Sequence, residues 1–378
     1  MDFELNDEQQ AYIASARAFS DKELAPHAAL WDAESIFAKD ALRAAGELGF
    51  MGMYTPEAAG GLGMGRLDAS LIVEELAKGC TTTAAFLTIH NMATAMIGKY
   101  CQQSVIDEWC PDLVMGRKLA SYCLTEPGSG SDAAALKTKA HKSNTDYTLT
   151  GTKAFISGGG YSDAYIIMAR TGDDSPKGIT ALIVEDGAEG LSFGGLEDKM
   201  GWRAQPTRQV QLDECKTPIE NLLGDEGLGF SYAMAGLDGG RLNIAACSLG
   251  AAQQAFDATR AYMAERKAFG KSINQFQALQ FRLADMEIEL QSGRIFLRQA
   301  AWKLDNGAPD ATHFCAMAKK LVTDMGSKVA NDCLQLHGGY GYLADYGIEK
   351  TVRDLRVHQI LEGTNEIMRM IVARGLRA

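Results

Sequence analysis

The stretch that decides the fold extends from residue 147 to residue 213 and holds four short runs, YTLTG (147–151), AYIIM (164–168), TALIV (180–184) and RQVQLD (208–213). Their β-branched and aromatic residues favour strands, and turn residues separate the runs, among them SGGG at 157–160 and GDDSP at 172–176. The last run alternates apolar and polar residues, which indicates a strand with one solvated face. Because no helical pattern lies between the runs, they predict an antiparallel sheet or barrel rather than the parallel sheet of a Rossmann unit.

Helical periodicity flanks this stretch on both sides. It begins at the N-capping residue Asn6, and it returns after GDEGLGF (224–230) in runs at 230–264, 276–305 and 309–335 and on to the end of the chain. The predicted fold class is therefore α+β and mostly α. It comprises an N-terminal helical domain (1–118), a central antiparallel β-barrel-like domain (119–225) and a C-terminal four-helix bundle (226–378).

Composition excludes several classes of function. The 378 residues carry a net charge of −11, which argues against binding to nucleic acid or to anionic membranes. The eight cysteines are scattered without a CxxC motif, which indicates reduced thiols and no structural zinc, and we expect no metal site. The acidic N-terminus lacks an apolar signal region and no apolar run has the length of a membrane span, so we expect an intracellular protein without membrane insertion.

Near the C-terminus, LEGTNEIMR (361–369) places Glu362 just before a predicted helix whose N-cap is Thr364. A carboxylate at such a joint can act as a base, because desolvation raises its pKa toward neutrality while N–H groups at the helix end hold the anion. The alternative is an exposed turn glutamate, and the spacing alone favours that alternative.

A second candidate site is the loop YCLTEPGSGSD (122–132). It lacks the lysine of a P-loop and does not open a helix after a parallel strand, so a mononucleotide site is not indicated. By itself the loop is equally consistent with a flexible turn.

The segment RDLRVHQILEGTNE (353–366) resembles the C-terminal signature of the acyl-CoA dehydrogenases, flavoenzymes that introduce a 2,3 double bond into acyl-CoA thioesters. The resemblance extends over essentially the whole chain and implies that Glu362 is the catalytic base. In other branches of that family the base stands just before the position matched by Arg241, where this chain has Gly240. The resemblance therefore assigns the base to Glu362.

The resemblance also implies FAD as cofactor, bound by residues from five segments of the chain. These are Tyr122, Leu124, Thr125 and Ser131, then Phe155, Ile156 and Ser157, then Arg266, Phe269, Phe276 and Gln277, then Gln335, Leu336, His337, Gly338 and Gly339, and finally Thr364, Asn365 and Glu366. The acyl-CoA contacts that it implies are Ser131, Asp238, Arg241, Gly363 and Arg374.

Several of these assignments have plain structural alternatives. Asp238 and Arg241 are spaced as a helix-surface ion pair, which would contribute little stability. His337 fits a structural histidine, Ser157 the end of a strand, and Arg374 an ordinary helix-end cation. Trp202 is as consistent with a core position as with the site.

The implied reaction is α,β-dehydrogenation. Glu362 removes the α-proton, hydride passes to flavin N5, and the Glu362 N–H and a flavin ribityl hydroxyl bind the thioester oxygen. By resemblance the electrons then pass to an electron-transfer flavoprotein, and flavin sites shared between subunits imply a homotetramer built as a dimer of dimers. The resemblance implies a cytoplasmic location in a bacterium, or the mitochondrial matrix for a processed eukaryotic chain.

The acyl group is suggested by the branch of the family that acts on isobutyryl-CoA. The segments that resemble this branch are GW (201–202) with QPTR (205–208), IA (244–245) with CSLGAA (247–252), and VHQILEG (357–363). Thr364 stands where members of this branch have a serine. Butyryl-CoA and 2-methylbutyryl-CoA stay open, because one methylene in an apolar pocket discriminates by only about 1–3 kcal/mol. An acyl-CoA oxidase and a non-catalytic flavin-binding homologue are the alternatives from other classes.

Overall fold

The computed structural model describes residues 4–376, and its first part is helical. Six helices follow one another, α1 (Asp7–Phe19), α2 (Ala28–Glu34), α3 (Lys39–Glu47), α4 (Arg66–Gly79), α5 (Thr81–Tyr100) and α6 (Gln103–Leu113). The predicted cap of the first helix is confirmed, since the Asn6 side chain accepts from the Gln9 N–H at 2.8 Å and Gln9 reciprocates in a capping box. Helix α5 is buried along most of its length, as its Ala, Met and Ile content predicts.

The central part is one eight-stranded sheet. Its strands are β1 (Ala120–Cys123), β2 (Lys139–Lys142), β3 (Asp146–Ser157), β4 (Ala164–Arg170), β5 (Ile179–Glu185), β6 (Leu191–Phe193), β7 (Thr207–Pro218) and β8 (Leu222–Leu223). The order is β6-β7-β3-β2-β4-β5-β8, with β1 beside β4. All four predicted runs are strands. In β7 the buried Val210 and Leu212 flank the exposed Gln211, which confirms the predicted solvated face.

The sheet is mixed, so the prediction of a purely antiparallel sheet is wrong. Strand β1 pairs with β4 in parallel from Ala120 opposite Ala164 to Cys123 opposite Ile167, and β2 meets β4 in parallel at Lys139. The prediction assumed that parallel pairing needs a helical crossover. Here the hairpin of β2 and β3 lies between β1 and β4 in the sequence and supplies the crossover instead.

Strand β4 is the centre of the sheet and is buried at every residue. Ala164, Ile166 and Met168 belong to a core shared with α5 and α6, while Tyr165 and Ile167 belong to a core within the sheet. This double burial explains why its sequence is continuously apolar.

The C-terminal part holds α7 (Gly229–Glu265), a small hairpin of β9 (Lys267–Ala268) and β10 (Lys271–Ser272), α8 (Gln277–Asp305), α9 (Ala311–His337), α10 (Ile348–Arg356) and α11 (Asn365–Gly375). The fourth helical run that the sequence predicts is thus divided into α10 and α11, which both pack on α9. The joint between α10 and α11 carries Glu362.

One hydrophobic core connects the N-terminal and C-terminal helices, since residues of α4 such as Ile72 and Leu76 cluster with Ala245 and Leu249 of α7. The predicted boundaries at 118/119 and 225/226 fall between α6 and β1 and between β8 and α7. The division into three separate domains stays a prediction.

Arg353 and Asp354 tie the three parts together just before the joint. The Arg353 guanidinium pairs with Asp32 of α2 at 2.7 Å and donates to the Met200 carbonyl. The Asp354 carboxylate accepts from the Trp202 N–H at 2.7 Å and from the Lys350 ammonium at 2.6 Å. Because both residues are on α10, these contacts fix the direction in which the chain enters the joint.

All eight cysteines are free and buried. No helix within residues 4–376 combines the length and the apolar character needed to cross a bilayer.

Candidate active site

The Glu362 joint has an unusual backbone. Glu362 has φ of +56° and Gly363 has φ of +85°, so two successive residues are in the left-handed region. Glycine accepts this conformation freely, whereas for a glutamate it costs roughly 1–2 kcal/mol. The predicted cap follows directly, because the Thr364 hydroxyl accepts from the Ile367 N–H at 3.3 Å. Strain held at a residue between two ordered helices is typical of functional positions.

The Glu362 carboxylate lies against helix α7. A β-carbon added to Gly240 would lie 2.3 Å from Glu362 Oε2 and 2.9 Å from its Cδ, so the carboxylate fills the space above that glycine. Oε2 is buried and has no hydrogen-bond partner within residues 4–376. The predicted hold by helix-end N–H groups is therefore wrong for this atom, because the N-terminus of α11 is capped by Thr364 instead.

Burial raises the Glu362 pKa to about 7, while the positive charges of Arg241 and Lys319 act in the opposite direction. The prediction of a desolvated carboxyl near neutrality is confirmed. Such a group takes up a proton readily near pH 7, as a general base requires.

Asp238 and Arg241 lie one helical turn apart beside this carboxylate. Their side chains pair at 2.5 Å, and Asp238 also accepts from the Thr312 hydroxyl at 2.6 Å. Arg241 is only 6% exposed and its Nε has no partner among the described residues. The alternative of a surface ion pair is therefore wrong, since this pair is largely desolvated and retains a free donor.

Tyr122 on β1 also belongs to this group of residues. Its hydroxyl is buried without a partner in the described part of the chain. Burial raises its pKa well above the usual value, and the Glu362 charge adds to the shift. Within residues 4–376 the Tyr122 hydroxyl and Glu362 Oε2 both lack partners, so each is available to hydrogen-bond a bound molecule between β1, α7 and the joint.

The second group of predicted residues comes together on the sheet. The Ala154 N–H donates to the Thr125 carbonyl at 2.8 Å, which places Leu124 and Thr125 beside the end of β3. There Phe155 has φ of +58° and is 68% exposed, Ile156 is buried, and the Ser157 hydroxyl accepts from the Gln205 amide. An exposed aromatic ring, a hydroxyl and fixed backbone groups form a surface suited to a flavin ring.

This surface is held rigid by a buried ion pair. The Lys153 ammonium contacts Glu126 at 2.7 Å and donates to the Leu124 carbonyl at 3.1 Å. Glu126 in turn accepts from the N–H groups of Lys137 and Thr138 at 2.6 and 2.9 Å. These contacts fix Leu124 and Glu126 within the loop at 122–132, whereas Ser131 is exposed, and the alternative of a flexible turn stays open for the rest of the loop.

A third group lines a cavity of about 460 Å³ at the C-terminal end of α9. The predicted residues that line it are Arg266, Gln335, Leu336, His337, Gly338 and Gly339. No atom lies within 4 Å of a β-carbon added to either glycine, so a ligand can approach the backbone there. His337 stacks on Tyr262 at 4.3 Å and contacts the Cys333 carbonyl, which supports its structural alternative.

These groups are separate in space. Lys319, which contacts the Glu362 joint, is 18 residues from His337 on α9, and at 1.5 Å per residue this is about 27 Å. As the resemblance implies, the sheet surface suits a flavin ring, and the Arg266 cavity suits the anionic pyrophosphate of an FAD that a neighbouring subunit holds. The residues present therefore fit FAD.

Some predicted residues stand apart or are already engaged. Phe269 is 96% exposed with φ of +50°, and its ring lies against that of Phe276, which precedes α8 and the exposed Gln277. Arg374 is exposed near the end of α11, and Glu366 pairs with Arg369.

The Asn365 amide contacts Lys319, Thr323 and Asp324. Because its side chain is hydrogen-bonded to these three residues, only the backbone of Asn365 remains available to contact a flavin.

Sequence reasoning missed Lys153 and Lys319, both of which are completely buried. The available signal was lysine inside an otherwise apolar strand or helix run, although the run 315–322 on α9 holds both Lys319 and Lys320 and does not distinguish them. Within the described residues no group of three or more His, Cys, Asp or Glu side chains could hold a metal ion.

Comparison with known proteins adds three domain matches that together span most of the chain. The acyl-CoA dehydrogenase N-terminal domain matches residues 6–117, the middle domain residues 121–215 and the C-terminal domain residues 227–377.

Individual relatives are similar over most or all of their length. Isobutyryl-CoA dehydrogenase, mitochondrial, of Bos taurus is 49% identical over 98% of this chain and 89% of its own. Butyryl-CoA dehydrogenase from Megasphaera elsdenii superposes with a TM-score of 0.96 at 38% identity, covering 100% of both chains. A chain from the structure of the electron transferring flavoprotein of Acidaminococcus fermentans also gives 0.96 at 38% identity, covering 100% of this chain and 99% of that one.

Proposed function

This chain belongs to the acyl-CoA dehydrogenase family, and we propose that it oxidises isobutyryl-CoA, with Glu362 removing the α-proton. As a member of that family it is an FAD-dependent oxidoreductase. The observation that carries the proposal is the Glu362 carboxylate above Gly240, which is desolvated, has no partner for Oε2 within residues 4–376, and has its pKa raised to about 7.

Proton removal needs a base for the α-proton and hydrogen-bond donors for the thioester oxygen. A thioester α-proton is too weakly acidic for a carboxylate in water, so the negative charge that develops on the thioester oxygen needs donors in a dry site. The Glu362 N–H donates to no acceptor among the described residues and is available for that oxygen. FAD, when bound, accepts the hydride that leaves the β-carbon.

The cofactor contacts follow the three groups of residues. We propose that Leu124, Thr125 and Ser157 hold the flavin ring, and that Arg266 and the backbone at Gly338 and Gly339 hold the pyrophosphate and adenosine end of the FAD whose ring a neighbouring subunit binds. We also propose a flavin contact from Thr364 at the start of α11. Asp238, Arg241 and Ser131 are proposed to contact the CoA thioester.

Two observations support a short acyl group. Met92 of α5 lies 3.3 Å from the place of a β-carbon on Gly236, one turn of α7 before Gly240, and it packs in one core with Leu124, Tyr122 and Leu237. We propose that these side chains bound the acyl pocket beside Glu362. The identity with the bovine isobutyryl-CoA enzyme favours the branched acyl chain over the straight one.

The proposed assembly is a homotetramer. Phe281, Ile288, Ile295 and Trp302 are spaced by seven residues on α8, and each is more than half exposed. Such an apolar stripe on one helix face is typical of a surface that another subunit covers. The exposed Phe269 is consistent with a cofactor site completed by a neighbouring subunit.

For the electron acceptor we propose an electron-transfer flavoprotein, which would approach the exposed Phe155 at the edge of the flavin surface. The bacterial cytoplasm or the mitochondrial matrix is the corresponding location.

The test is an anaerobic titration of the FAD-loaded protein with isobutyryl-CoA, n-butyryl-CoA and 2-methylbutyryl-CoA. The proposal requires flavin bleaching near stoichiometric isobutyryl-CoA, with the other two thioesters clearly weaker. Bleaching by a straight-chain thioester alone would keep the reaction and reject the substrate, and no bleaching by any of them would reject the function. Peroxide release during turnover in air would identify an oxidase instead.

A further inference from the structure

The strongest unexplained feature beside the site is the ammonium group of Lys319 on α9. The residue is completely buried, and its Nζ donates to the Gly363 carbonyl and to Asn365 Oδ1, both at 2.8 Å. It forms no ion pair with a carboxylate in residues 4–376. A buried ammonium without an ion pair is costly, so a neutral residue would be expected here if only packing mattered.

The first consequence concerns the orientation of one peptide group. A trans peptide is planar, so the Gly363 carbonyl and the Thr364 N–H point in opposite directions. With the carbonyl directed to Lys319 inside the bundle, the Thr364 N–H is directed away from α9, and it donates to no acceptor in the described chain. The lysine contact therefore fixes the left-handed turn from the side opposite the site.

The second consequence is electrostatic. The charged groups that act on Lys319 are Glu362 at the joint, Asp324 on its own helix, Arg241 on α7 and Glu366 on α11. Burial lowers the Lys319 pKa to about 8, and Glu362 counteracts that shift. Lys319 in turn lowers the pKa of Glu362 and, with burial, that of His358. The base and the lysine thus favour the charged forms of one another.

We propose that Lys319 is a positioning residue for the base: its ammonium holds the Glu362–Gly363 turn through the Gly363 carbonyl and supplies the positive charge that keeps Glu362 ionised when it must accept a proton. The proposal rests on the proposed role of Glu362. It differs from a packing role because it requires both the donor and the charge.

The experiment measures the ionisation of Glu362 without substrate, so that failure of the proposed reaction does not affect it. The FAD-loaded protein carries ¹³C at the glutamate carboxyl carbons, and the signal absent from Glu362→Gln is assigned to Glu362. Its chemical shift is followed from pH 4 to pH 10 in the wild type, Lys319→Met and Lys319→Gln. Lys328→Met is the control, since Lys328 is an exposed lysine of the same helix that pairs with Glu289 and Asp332.

We expect the titration midpoint of the Glu362 carboxyl signal to rise by about one pH unit in both Lys319 variants and to stay unchanged in Lys328→Met. A rise from 7 to 8 leaves about one-fifth of the ionised base at pH 7, and flavin bleaching should slow to that extent. Lys319→Gln keeps a donor for the Gly363 carbonyl, so its bleaching rate at high pH should approach that of the wild type, whereas Lys319→Met should stay slower.

The wild type supplies a measurement that does not depend on the folding of a variant. Deprotonation of Lys319 should appear as a second inflection of the Glu362 signal near pH 8. A wild-type curve with one inflection, or an unchanged midpoint in a folded Lys319 variant, would overturn the proposal and leave Lys319 with a packing role.

Discussion

The carboxylate of Glu362 takes the place that a side chain at Gly240 would need. A β-carbon there would approach Oε2 to 2.3 Å, although the backbone of Gly240 is ordinary α-helix that any residue adopts. This glycine is required for space and not for conformation. A side chain at position 240 and the side chain of Glu362, 122 residues later in the sequence, would therefore compete for the same space.

Gly240→Ala should move the base without unfolding the protein. The atom that must yield is the end of a flexible side chain, so the helix stays intact while the carboxylate is displaced. A misplacement of about 1 Å costs roughly 100-fold in rate, and we expect a loss of that size in anaerobic flavin bleaching. Gly293→Ala on α8, where only the Met325 methyl must move, is the matched control and should retain its rate.

Glu362→Gln should abolish proton removal while FAD stays bound. General bases contribute about 10²- to 10⁴-fold, so the bleaching rate should fall by at least 100-fold. In the wild type the rate should rise with pH through about 7, because only the ionised carboxylate accepts a proton. A variant that bleaches at the wild-type rate would assign the base to another residue.

The same variant should be more stable at high pH. The folded pKa of Glu362 is raised from 4.5 to about 7, so between these values the folded state holds a proton that the unfolded state has lost. The wild type therefore loses stability as pH rises through that interval, and glutamine removes the loss. At pH 4 this proton should make no difference between the two proteins, whereas at pH 8 denaturant unfolding should show the variant about 3 kcal/mol more stable.

Lys153→Met should destabilise the sheet. It leaves the Glu126 carboxylate buried without its cation, for which a loss of about 3 kcal/mol is expected, and it frees the Leu124 carbonyl at the flavin surface. Unfolding in urea measures the first effect, and retained FAD after gel filtration measures the second. Adding Glu126→Gln should recover part of the stability, whereas two additive losses would contradict the ion-pair explanation.

Ile288→Lys should split the assembly. A charge in the middle of the α8 stripe removes apolar contact and places an ammonium in a covered interface. Light scattering should then report a smaller species, with weaker FAD retention because Phe269 loses its neighbour. Leu48→Lys, an exposed leucine away from the stripe, should leave the mass unchanged.

Much of this architecture follows from local sequence. The caps at Asn6 and Thr364 depend on side chains next to the helix that they begin, and the four strand runs show their own period. The parallel pairing of β1 with β4 could not be predicted, because it depends on where the β2–β3 hairpin is inserted. The same limit applies to the site, since the approach of Gly240 to Glu362 and of Lys319 to Gly363 joins residues far apart in the chain.

The burial of all eight thiols makes the folded protein inert toward alkylating and maleimide reagents. An introduced surface cysteine, at the exposed Leu48 for example, would then be the single site for a fluorophore, and energy transfer between labelled chains would report subunit exchange in real time. Conversely, the rate at which the eight native cysteines react with excess reagent would measure how fast the cores that enclose them open.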